Sequence, residues 1–108
     1  SRATMDEFLN QFPDHPKAPH ARFILGESYF ARKDWSLAAD AYKKVLQSQP
    51  DAPWADDAAF RLAMALWNSE RCDDAKRIFK LVVEQYPGSD HSSEARIKLN
   101  ELKSGKCP

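Results

Sequence analysis

A chain of 108 residues has room for one domain, and 43% hydrophobic with 30% charged residues is the balance of a folded globular protein rather than a disordered one. Its 16 Lys plus Arg cancel its 16 Asp plus Glu, so no net field draws it to nucleic acid or to an anionic membrane surface. The longest apolar runs, such as Leu62 to Trp67, are too short to cross a bilayer, and Ser1-Arg2-Ala3-Thr4 has no signal-peptide core, as expected also of an exported chain that has lost its signal.

Taken in order, the apolar residues predict six helices. The first spans 2–12, carries Met5, Phe8, Leu9 and Phe12, and is stopped by Pro13 in the phrase Gln-Phe-Pro-Asp. A second spans 18–32, with Pro19 in a first turn that tolerates its missing N–H and Ala21, Leu25, Ser28 and Tyr29 at helical spacing. After Arg32-Lys33-Asp34 a third spans 35–48, on Trp35, Ala38, Ala41, Tyr42, Val45 and Leu46. The fourth, 53–69, opens on Pro53, and the fifth covers 73–86. The sixth, 90–103, has Ser89 or Asp90 to supply its N-cap oxygen and carries Ala95, Leu99 and Leu102 on one stripe.

These elements repeat. Pro13, Pro50 and Pro87 are each 37 residues apart, and the same shift superposes Phe23 on Phe60 and Ile97, Leu25 on Leu62 and Leu99, and Met5 on Tyr42 and Phe79. A period in this range marks an array in which each unit buries its apolar face against its neighbours. The expected domain is therefore 1–108: a leading half-repeat helix (2–12), repeat 1 (18–49), repeat 2 (53–86), a capping helix (90–103) and a tail (104–108).

Leu25-Gly26, Tyr29, Ala38, Tyr42 and Pro50, repeated as Leu62-Ala63, Leu66, Ala75, Phe79 and Pro87, resemble the tetratricopeptide repeat signature. Gly26 or Ala63 would let the paired helices meet closely, with Ala38 or Ala75 answering and Tyr42 or Phe79 filling the volume. The family's usual unit is about 34 residues. The longer period here, with phrases such as FPDHPKAPHA and YPGSDHSSEA, resembles its bacterial envelope members: the periplasmic protein working with the Tol–Pal system and the lipoprotein of the outer-membrane β-barrel assembly machine. Within these residues the chain departs from the first in lacking a trimerising coiled coil, and from the second in having fewer repeats and no lipid-bearing N-terminal cysteine. The resemblance implies an all-α, right-handed α-α superhelix, a solenoid that binds protein partners in the periplasm or at the outer membrane.

It also implies that first helices line a concave groove. By position that groove takes His20, Phe23, Glu27 and Phe30, then Asp57, Phe60, Met64 and Trp67, then Glu94, Ile97 and Glu101. Aromatic and Met side chains there suit an apolar helix or an extended peptide. Phe23 and Phe60 divide between core and groove, Phe30 and Trp67 belong to the groove, and Tyr29, Tyr42 and Phe79 to the core. The Lys and Asn pairs with which some members clamp a terminal carboxylate are replaced here by Phe23, Glu27, Phe60 and Met64, which disfavours a cytosolic co-chaperone role.

Catalytic machinery is not expected. His15, His20 and His91 lack the helical spacing of a metal site, and neither cysteine has a histidine close in sequence. Asp56-Asp57 and Asp73-Asp74 read as helix-start acids, and Gly26, Gly88 and Gly105 make no phosphate loop. No cofactor or metal is called for, and the expected partner is a protein or peptide of the envelope. Because the sixth helix runs back along the fifth, Cys107 comes within reach of Cys72. The alternatives are a disulfide closing a loop of 35 residues, or a buried thiol and a frayed tail. The competing function is a structural or homo-oligomerising segment of a longer multi-repeat protein.

Overall fold

The computed structural model describes residues 2–105 and 107, and the side chains of all of these except residues 2–4 and 6. Of the expected tail, positions 106 and 108 lie outside the described residues. The described chain is all-α with six helices: α1 (Arg2–Gln11), α2 (Ala18–Ala31), α3 (Trp35–Ser48), α4 (Ala55–Asn68), α5 (Cys72–Gln85) and α6 (Ser92–Lys103). Each packs on the next in chain order, giving a body of 44 × 26 × 18 Å.

The 37-residue period extends to backbone detail. The turns that open α2, α4 and α6 are the same turn: the N–H of Ala18, Ala55 and Ser92 donates to the carbonyl of His15, Ala52 and Ser89 at 2.9, 2.9 and 3.1 Å. Pro19 sits inside the first turn of α2, as expected. Pro53 does not open α4, which starts at Ala55, because residues 52–54 close this turn first. Likewise α6 starts at Ser92 with His91 as its N-cap, and Ser89 acts one step earlier, its hydroxyl accepting the His91 N–H at 3.1 Å while donating to Asp56 at 2.6 Å. Between the helices of a pair the chain turns through Lys33 (φ 63°) or Glu70 (φ 64°). In each case two reverse bonds close the end, Lys33 N–H to Phe30 and Asp34 N–H to Tyr29, then Glu70 N–H to Trp67 and Arg71 N–H to Leu66. This is the Schellman arrangement, which satisfies carbonyls that the helix leaves unpaired.

The core lies between the helices of the two pairs. Tyr42, Val45, Phe79 and Val82, two matched couples one period apart, are its largest fully buried side chains. α4 runs between α3 and α5 and meets them with small residues, Ala55, Ala58, Ala59, Ala63 and Ala65 all being buried, so the backbones approach closely. α6 repeats α4 on the side packed against α5, where Ala95 and Leu99 are buried. Elsewhere the pattern changes sign. Where α4 has buried Ala59, Ala63 and Leu66, α6 has exposed Arg96, Asn100 and Lys103, a polar outer face.

Candidate functional site

The aromatic residues of the first helices fall into two rows, and the structure treats them differently. Phe23 and Phe60, which the sequence leaves between core and groove, are buried. Each is covered by a flat ring from the N-cap of the following first helix. Trp54 stacks on Phe23 with centroids 5.1 Å apart and planes at 22°, and His91 stacks on Phe60 at 4.5 Å and 8°. Trp54 and His91 are themselves 37 residues apart, so this is one device used twice. Ile97, the third member of the row, has no such cover and is 57% exposed.

The second row is roofed by cations. Phe30 and Trp67 are half-buried. The Arg61 guanidinium lies 5.8 Å from the Phe30 centroid, and the Lys98 ammonium 3.7 Å from that of Trp67. Both are cation–π contacts between successive units, again one period apart. Phe30 is further held edge-on by Trp35 at 5.1 Å, while the Trp67 indole N–H is buried without a hydrogen-bond partner among the described residues.

Carboxylates hold the cations in turn. One Asp57 oxygen lies 3.1 Å from the Arg61 Nε and 3.1 Å from the His91 Nε2. Partial burial alone would lower the Arg61 pKa, but the hydrogen bond and charge of Asp57, with Tyr42 and Glu27 nearby, raise it above the ordinary arginine value. Its charge is therefore permanent. Lys98 reaches Glu101 at 3.8 Å. Of the other expected groove residues, His20 is exposed with its ring 6.0 Å from Trp54, Glu27 and Met64 are half-buried, and Glu94 is exposed. Among the described residues no cluster of three or more His, Cys, Asp or Glu has metal-holding geometry. Cys72 and Cys107 are joined in a disulfide with Cα atoms 6.2 Å apart, tying the chain after α6 to the start of α5.

The side chains that sequence reasoning missed are Arg61, Lys98, Trp54 and His91. The 37-residue shift aligns Arg61 with Lys98 and Trp54 with His91, but it does not show which ring lies beneath each of them.

A family model described as YfiO, outer membrane lipoprotein, matches residues 1–105. An uncharacterized protein of Treponema pallidum (strain Nichols) is 35% identical over 63 residues, an alignment covering 53% of this chain and 12% of that protein.

Proposed function

Because the chain belongs to the YfiO family of outer membrane lipoproteins, we propose that it is a non-catalytic interaction scaffold of the bacterial cell envelope, binding a peptide or helix of a partner protein along its first helices. In this reading residues 1–108 act as one tetratricopeptide-type unit, with two complete pairs between a leading helix and a cap. The observation that carries it is the repeated row of rings, cations and carboxylates on α2, α4 and α6, which ends at the uncovered Ile97. A large exposed aliphatic residue flanked by charged groups suits an interface better than a catalytic centre. The Cys72–Cys107 disulfide supports a periplasmic or periplasm-facing outer-membrane location, since such bonds persist in oxidising compartments.

The test is photocrosslinking from a benzophenone amino acid placed at Ile97, with the same group at exposed Leu37 on α3 as comparison. Crosslinks from position 97 to a second envelope protein, absent from position 37, are expected. Crosslinks from position 97 only to a second copy of the chain would replace this function with self-association.

A further inference from the structure

Resting on that reading of the groove, we infer that its occupant is a basic amphipathic peptide, with aliphatic side chains seated on Ile97 and Met64 and Lys or Arg side chains meeting the carboxylates beside them. The first helices place Glu27, Asp57, Glu94 and Glu101 at their groove positions, with Arg61 and Lys98 as the cations. Four negative charges thus face two positive ones, on a chain whose total charge is zero.

Asp57 and Glu101 hold these two cations, so among the described residues Glu27 and Glu94 are the groove-position charges with no ion-pair partner. Arg61 is held by Asp57 at 3.1 Å and lies over Phe30, and Lys98 is held near Glu101 at 3.8 Å and lies over Trp67. An acidic ligand would have to displace Asp57 or Glu101 from these contacts, whereas a cationic one meets Glu27 and Glu94 with both left in place. Glu94 is exposed and stands one helical turn before Ile97, with Glu101 one turn after it, so the uncovered aliphatic residue sits on a stripe between two carboxylates. A ligand with apolar groups at helical spacing and cations beside them matches this stripe in shape and sign.

Two short fluorescein-labelled peptides with the same amphipathic order of leucine and alanine, one carrying arginine and the other glutamate at its polar positions, are titrated into the intact protein and followed by anisotropy at low and at physiological salt. The arginine peptide is expected to bind at least tenfold more tightly, to weaken with salt, and to lose about fivefold in affinity on Glu94→Lys. Glu84→Lys, on exposed α5 surface, should leave binding unchanged. Binding that survives Glu94→Lys and Ile97→Asp but falls with Glu84→Lys would move the site off the groove. Equal or tighter binding of the glutamate peptide, lost on Ile97→Asp, would overturn the basic class while leaving the groove in place. No binding of either peptide would overturn this inference, while crosslinking at Ile97 still decides the groove itself.

Discussion

A Cβ placed on Gly26 would lie 2.8 Å from Cε1 of Tyr42 and 2.9 Å from its Cδ1. The ring cannot swing aside, because Tyr42 is fully buried and its neighbours include the rings of Phe23 and Phe30, with centroids 6.0 and 6.4 Å away. Gly26 is thus the hollow into which α3 seats its largest core residue. One period later the matching positions are Ala63 and Phe79, both fully buried.

Gly26→Ala should therefore destabilise the fold. Alanine gains about 1 kcal/mol over glycine in helix propensity, but overpacking a close contact costs about 1–3 kcal/mol. A net loss of about 1 kcal/mol is expected in urea unfolding, recovered in part by adding Tyr42→Leu. Gly88→Ala, where no atom lies within 4 Å of the new Cβ, serves as the neutral comparison. A Gly26→Ala variant as stable as the wild type would mean that the α2–α3 contact is looser than this.

The helix order and the pairing could be read from helical spacing and the 37-residue shift, and the small-against-large contact of Gly26 with Tyr42 from the resemblance to the tetratricopeptide signature, because buried apolar positions constrain sequence directly. The covering of Phe23 by Trp54 could not, since a ring just before a helix looks like loop until the next unit is folded against it. The same limit applies to Arg61 and Lys98. A charged residue one turn from a groove position is indistinguishable in sequence from a solvated one, and only the neighbouring unit supplies the ring beneath it. α4 and α6 start later than residues 53 and 90 for a related reason: each is preceded by a closed turn whose hydrogen bonds set where the helix begins.

Lys33 and Glu70 close α2 and α4 in the left-handed region, at φ of 63° and 64°. A side chain there costs roughly 1 kcal/mol relative to glycine. Lys33→Gly and Glu70→Gly should each stabilise the protein by about 0.5 kcal/mol, the rest being lost to the greater freedom of glycine in the unfolded chain. The two should add, being at separate turns. Thermal unfolding of the single and double variants decides it, and a double variant less stable than the wild type would mean that these side chains make contacts that outweigh the backbone strain.

The Cys72–Cys107 bond closes a separation of 35 residues and anchors the segment after α6. Loop-closure entropy predicts about 3–4 kcal/mol of stability from such a link. Cys107→Ser, or the wild type under reductant, should unfold at correspondingly lower denaturant. Because the link holds α6 alone, hydrogen exchange should rise first in residues 92–103 while α2 and α3 stay protected. Uniformly faster exchange through all six helices would show instead that the cap and the two pairs unfold as one unit.

The Tyr42 hydroxyl is buried with no hydrogen-bond partner among the described residues. Burial is the chief cause that pushes its pKa well above the ordinary tyrosine value, with Arg61 pulling down and Glu27 and Asp57 pushing up. At pH 7 the phenol is neutral in both states, so Tyr42→Phe should be neutral or stabilising by up to about 1 kcal/mol, as an unpaired buried hydroxyl is removed. The gap widens in alkali. An unfolded tyrosine ionises near pH 10 while the folded one keeps its proton, so this residue's contribution, fully present below about pH 10, is lost as pH rises, at up to about 1.4 kcal/mol per pH unit. Lysine deprotonation in the same range acts on both proteins, and the difference between them isolates the phenol. Urea unfolding from pH 9 to about 11.5 should show Tyr42→Phe pulling ahead of the wild type above pH 10. A variant already weaker at pH 7, with a parallel alkaline limb, would mean that the hydroxyl is hydrogen-bonded in solution, with Arg61 the nearest donor to test.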